Sequence, residues 1–191
     1  MLTRDELLDL FRKSGALLDG HFRLTSGLHS SSYLQCALVL SRPADAEILG
    51  RDIADKVRSF GATVVLSPAL GGIVIGHEVA RALGIRALFA ERQEGTLTLR
   101  RGFMLADNDR VLVVEDVLTT GGSTRETMQA ARAAGAQVVG VGSIVDRSGG
   151  TLSFDVPFGS LLSMSVPAYE PDKCPLCAKG LPVVKPGSRP A

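Results

Sequence analysis

The residues with the most chemistry in their spacing lie between Val111 and Thr124, in the order Val-Leu-Val-Val-Glu-Asp-Val-Leu-Thr-Thr-Gly-Gly-Ser-Thr. Four aliphatic residues read as a buried strand, and Glu115 and Asp116 follow at its carboxyl end. Thr119 to Ser123 then form a loop, and a helix begins at Thr124. A loop at a helix N-terminus offers free N–H groups where a phosphate is favoured. Gly121 and Gly122 let the backbone approach closely. Thr119, Thr120, Ser123 and Thr124 add hydroxyl donors. The lysine of a Walker A loop is missing, and no Gly-x-Gly-x-x-Gly follows a strand here. Two acids would repel a bare phosphate, so they call for something between: sugar hydroxyls, a divalent cation, or both. A phosphorylated ribose with Mg²⁺ meets each requirement. The plainer alternative is a strand end of Walker B type beside an ordinary glycine-rich loop.

Such a site needs a parallel sheet to hold it, and the flanking pattern supplies one. Pro43 stands at a first helical position, and Leu49, Ile53, Val57 and Phe60 recur at helical spacing before Gly61. Val64 to Leu66 is a short strand, Ile73 to Leu83 a helix closed by Gly84, and Ile85 to Ala90 a strand. Helix from Thr124 to Ala134 and strand from Val138 to Val145 complete the alternation. Continuous apolar strands between helices predict an α/β fold whose parallel sheet is covered on both faces. At the N-terminus, Thr3 and Glu6 form a capping box for a first helix. Phe22 to Gly27 reads as a strand into a turn, and Tyr33 to Leu40 as a second extended run. With 191 residues and no dividing linker, one domain is expected over 1–191, with a hood from about 1–40 and an irregular surface tail from about 171.

Composition excludes other classes. Twenty-one Lys+Arg against 20 Asp+Glu leave a net charge of +1, which lacks the basic excess of a general nucleic-acid binder. A hydrophobic fraction of 45% is too high for a disordered chain. Three cysteines are too few for a secreted disulfide framework and fit a reducing, cytosolic setting. No 18-residue apolar run predicts a membrane span, and Arg4, Asp5 and Glu6 leave no signal-like segment at the start.

The stretch around Glu115 resembles the 5-phosphoribosyl-1-pyrophosphate (PRPP) signature of type I phosphoribosyltransferases. The resemblance implies that family's fold, with a central parallel sheet flanked by helices and a small N-terminal hood. It assigns Glu115 and Asp116 to the ribose hydroxyls, and Val117, Leu118, Thr119, Thr120, Gly121, Gly122 and Ser123 to PRPP, with the loop from Thr119 cradling its 5-phosphate. Mg²⁺ is implied as a cofactor carried by PRPP, with no direct protein ligand.

The flanks resemble the orotate branch of that family. Phe22 to Gly27, continuing through Ser30 to Tyr33, is similar to its hood, and Val145-Asp146-Arg147 to its base-recognition site. Orotate is a planar ring bearing a carboxylate, which an arginine grips with paired donors. Arg147 is therefore the expected orotate ligand, with the Thr119 hydroxyl beside the ring and Tyr33 over its face. The bland alternatives are an Arg147–Asp146 ion pair and core packing for Tyr33. Ala69-Leu70-Gly71-Gly72 is similar to the pyrophosphate loop, yet Gly71 and Thr25 stand where many orotate enzymes have lysine. Glu91 to Gly102 takes the place of a mobile catalytic lid, with Arg92 its best-aligned cation; Arg100 and Arg101 fit a solvated hairpin equally well. Glu115, Asp116 and Arg92 are the expected catalytic set. A homodimer is implied, because such a lid acts across the interface. A phosphoribosyltransferase for a purine or other base, and a PRPP-sensing regulator on the same fold, remain as rival readings.

Cys174-Pro175-Leu176-Cys177 offers two ligands where zinc takes four. Cys36, His21, His29 and His77 are the remaining candidates for the other ligands. His29 lies in the hood and is expected near ligand, whereas His21 and His77 read as ordinary helix or turn residues. Zinc at Cys174 and Cys177 is therefore the lesser reading, and whether that pair binds metal stays open at this point.

Overall fold

A computed structural model describes residues 1–24 and 26–186. The chain opens with helix α1 (Arg4–Lys13), whose capping box closes as expected: Thr3 Oγ1 accepts from the Glu6 N–H, and the Glu6 carboxylate accepts from the Thr3 N–H. Strands β1 (Leu17–Arg23) and β2 (His29–Leu34) pair antiparallel and form the hood. Cys36–Leu40, expected as extended chain, is instead a short helix α2 that buries Cys36, Val39 and Leu40. A run of apolar residues this short fits either conformation, and packing on the next helix decides it.

Helix α3 (Pro43–Val57) leads to β3 (Val64–Pro68), and α4 (Gly71–Leu83) to β4 (Arg86–Gln93). Helix α4 begins at Gly71, so half of the expected loop is the first helical turn. A two-residue turn at Glu94 and Gly95, both at positive φ, returns the chain as β5 (Thr96–Leu99). Strand β6 (Arg110–Leu118) then enters the centre of the sheet, followed by α5 (Gly122–Ala133) and β7 (Gln137–Asp146). Strands β8 (Phe158–Ser163) and β9 (Ala168–Tyr169) were not foreseen; β8 completes the main sheet and β9 pairs with β2 in the hood. Their residues show no clean alternation, and they form because a paired neighbour already waits. After Tyr169 the chain makes a 3₁₀ turn and a short helix α6 (Pro175–Ala178), then returns to the hood: the Val184 N–H donates to the His21 carbonyl and the Arg23 N–H to that of Val184.

The main sheet has strand order β5-β4-β3-β6-β7-β8, parallel except for β5. One face packs Leu49, Ile53 and Val57 of α3 with Ile75 and Val79 of α4 over Leu112, Val114 and Ile144. The opposite face packs Met128 and Ala131 of α5 over Val111, Val113, Val138 and Val141. Each such Leu, Ile or Val contributes about 1.5–3 kcal/mol on burial, so the sheet centre is rigid. From β3 the chain winds outward one way through α4, and from β6 the other way through α5, on opposite faces. The strand order therefore reverses between β3 and β6, and the crevice at their carboxyl ends is where an open α/β sheet binds ligand.

Candidate active site

Three segments meet at that crevice: the turn after β3, the end of β6 with the loop into α5, and the end of β7. Side chains alternate along β6. Val111 and Val113 face α5, while Leu112 and Val114 face α3 and α4. The two acids continue that alternation and part company. Glu115 turns to the start of α5, where its Oε2 accepts from Ser123 Oγ at 3.0 Å and Thr124 Oγ1 at 2.7 Å. Asp116 turns to α4, and its Oδ1 also accepts from the Val117 N–H at 2.8 Å. Burial pushes both carboxyls above their ordinary range; the hydroxyls offset this for Glu115 and backbone N–H groups for Asp116.

Gly71 explains how Asp116 sits there. A Cβ at this position would lie 2.9 Å from both carboxylate oxygens of Asp116. The lysine of many orotate enzymes could not stand here without displacing the acid. In the rest of the turn Leu70 is 84% exposed, whereas Gly72 is buried against the Val114 carbonyl and the Ala69 N–H is held by the Ala90 carbonyl at 2.8 Å.

Beyond Val117 and Leu118, which finish β6, the loop reverses direction at Gly121, whose φ of +75° suits glycine. A Cβ there would also meet Leu152 at 2.9 Å. Thr119, Thr120 and Gly122 are exposed. No side chain caps α5 at Gly121, so its first N–H groups stay open to an anion.

Arg147 follows β7, and its N–H donates to the Leu118 carbonyl at 2.8 Å, which sets it beside the loop. The expected alternative, an ion pair with Asp146, does not form. Asp146 instead accepts from the Ser148 N–H at 2.8 Å and the Ser163 hydroxyl at 3.4 Å. The half-buried guanidinium of Arg147 keeps a buried Nε with no partner among the described residues. Burial lowers its pKa, with Cys36 and Tyr33 acting the other way. The ring centroids of Tyr33 and Phe22 lie 5.9 Å apart, and Tyr33 is also near enough to act on the Arg147 guanidinium. Cys36 is a further neighbour of the site, one that no local sequence signal marks. Burial, then Asp116, raises its thiol well above the ordinary value, and Arg147 opposes them. Cys36 is the first residue of α2.

Arg92 lies on the β4–β5 hairpin, bonded to the Gly95 carbonyl and paired with Glu126 of α5 at 3.0 Å. Arg101 forms a two-point pair with Glu91 at 2.7 and 2.8 Å, the solvated-hairpin alternative. Arg100 makes no ion pair among the described residues. Thr25 lies outside the described residues. His77 is exposed on α4. His21, expected in a helix or turn, is buried on β1, and His29 faces it rather than the crevice.

Residues 39–162 match the phosphoribosyl transferase domain family. The orotate phosphoribosyltransferase of Pelotomaculum thermopropionicum is 55% identical over 188 residues, covering 98% of this chain and 99% of that protein. The chain belongs to the orotate phosphoribosyltransferase family. Among solved structures, the Mycobacterium tuberculosis orotate phosphoribosyltransferase in complex with Fe(III) dicitrate aligns with a TM-score of 0.74 at 27% identity, over 84% of this chain and 96% of that one. The same enzyme in complex with PRPP aligns at 0.66 and 25%, with the same coverage. The family's sheet, with its reversal point and carboxyl-end loops, is thus the frame in which Glu115, Asp116 and Arg147 stand. No described helix is long and apolar enough to cross a membrane.

Proposed function

We propose that this protein transfers the 5-phosphoribosyl group of PRPP to orotate, yielding orotidine 5′-monophosphate and pyrophosphate. The C1–oxygen bond to pyrophosphate breaks, the orotate ring nitrogen gives up its proton to the departing pyrophosphate or to solvent and bonds to C1 from the opposite face, and positive charge builds on the ribose between. Glu115 and Asp116 hold the ribose hydroxyls and place negative charge near that centre. The Thr119–Ser123 loop takes the 5-phosphate, and the Ala69–Gly72 turn the pyrophosphate. Positioning carries most of the rate, so no covalent nucleophile is needed.

Mg²⁺ fits this donor set. Glu115 commits one oxygen to hydroxyls and Asp116 one to backbone, leaving hard oxygen donors that suit a cation bound mainly by substrate phosphates. When bound, the ion would neutralise charge on the departing pyrophosphate. Arg92 would join it after leaving Glu126 as the hairpin closes. The reading includes a cytosolic homodimer in which this hairpin serves the partner's site. It rests on the resemblance of the Glu91–Gly102 segment to a lid that acts across an interface.

Arg147 carries the substrate assignment, because a buried guanidinium nitrogen without a partner is costly and a planar carboxylate would satisfy it. The test is loss of orotate absorbance with PRPP and Mg²⁺. Arg147→Ala should lower kcat/KM for orotate by about 30- to 1,000-fold, with KM for PRPP within about threefold. Unchanged orotate turnover in that variant, or turnover by the parent only with another base, would overturn the assignment.

A further inference from the structure

The hood and the tail, which the transfer reaction does not explain, together hold a second chemical site. His21 on β1, His29 on β2 and Cys174 and Cys177 at α6 bring four ligand atoms within 4.8 Å of one another. His21 Nε2 lies 2.9 Å from His29 Nδ1, 3.5 Å from Cys174 Sγ and 3.7 Å from Cys177 Sγ; His29 Nδ1 lies 3.3 Å from Cys177 Sγ. A tetrahedron built on zinc, with Zn–S near 2.3 Å and Zn–N near 2.0 Å, has edges of about 3.3 Å between nitrogens and about 3.5 Å from nitrogen to sulfur. The observed spacings fall around those edges.

The protonation pattern agrees. His21 Nδ1 lies 2.8 Å from the Leu181 carbonyl, which can only accept, so Nδ1 carries the proton and Nε2 turns its lone pair into the cluster. A metal-bound histidine is held in the same way by a carbonyl behind it. His21, His29 and Cys174 are buried, while Cys177 is exposed and leaves an entry path. Two nitrogens and two sulfurs, closed on all four corners, suit zinc and a structural role rather than catalysis.

We propose that His21, His29, Cys174 and Cys177 bind one Zn²⁺ that staples the C-terminal tail to the hood. Binding would release the two thiol protons and leave both imidazoles neutral. The staple joins residues 145 to 156 positions apart in the chain and braces β2, the strand that carries Tyr33. It does not depend on the substrate assignment.

The test is zinc content of the full-length protein by mass spectrometry after incubation with Zn²⁺ and dialysis. About one zinc per chain is expected in the parent and in His77→Ala, and under about a tenth in Cys174→Ser/Cys177→Ser. Because the double variant could misfold, the parent stripped by chelator is also titrated with Co²⁺; it should develop a tetrahedral spectrum with a thiolate charge-transfer band, and its thermal midpoint should rise. A parent that retains no zinc, a double variant that retains as much, or a Cys174–Cys177 disulfide in the metal-free chain with no cobalt spectrum after reduction, would overturn the proposal.

Discussion

The two ends of β6 carry acids of opposite character. Before its first residue stands Asp109, buried, with Oδ2 accepting from the Arg86 guanidinium at 2.6 Å and the Ala106 N–H at 2.8 Å. The backbone N–H first and then Arg86 hold its carboxyl below the ordinary value. At the other end burial pushes Glu115 and Asp116 up, and no cation pairs with them among the described residues. One end is electrostatically complete and serves stability. The other is left incomplete, which destabilises the free protein and reserves its charge for a ligand.

Removing charge at the incomplete end should give the largest effect on catalysis and the smallest harm to the fold. Glu115→Gln should lower kcat by about 100-fold or more, while the thermal midpoint at pH 8 holds or rises by about 2 °C. A clear drop in that midpoint would erase the contrast. Gly71→Ala sharpens it: the new methyl would press on the Asp116 carboxylate, so kcat/KM for PRPP should fall about tenfold with the midpoint nearly unchanged. The mirror experiment is Asp109→Ala, which strips two bonds from the complete end. It should cost about 1–2 kcal/mol, read from urea unfolding, with kcat within about twofold.

The smallest effect is in pH, and the two ends should move in opposite directions. Asp109, with a lowered folded pKa, gives stability that is present above the ordinary carboxylate range and lost as pH falls through the folded value. Glu115 and Asp116, with raised folded pKa values, bind protons more tightly when folded. Their contribution is fullest at low pH and declines as pH climbs from about 4 through the raised values. The stability advantage of Glu115→Gln over the parent should therefore be wider at pH 8 than at pH 4. An advantage that is flat across that range would mean the carboxylate is not strained by burial.

The strand–loop–helix around Glu115 was legible because its signals are local: four aliphatic residues, two acids, then hydroxyls and glycines, each acting within a few positions. The capping box at Thr3 and the left-handed glycine stops at Gly61 and Gly84 are of the same kind. The substrate reading of Arg147 came instead from resemblance, since no periodicity marks one arginine among many. Strand β8, whose apolar pattern is weak, and helix α2, whose sequence suits strand as well, depend on neighbours distant in the chain.

The chain's residue order thus settled which groups exist and how each short segment bends, since backbone and side-chain preferences act over a turn or two. It left open which groups meet. The parting of Glu115 and Asp116 to opposite faces, the fit of Gly71 beneath a carboxylate, and the convergence of His21 and His29 with Cys174 and Cys177 arise only when the sheet closes. Those contacts are made by burying apolar faces that say nothing, locally, about what they bring together.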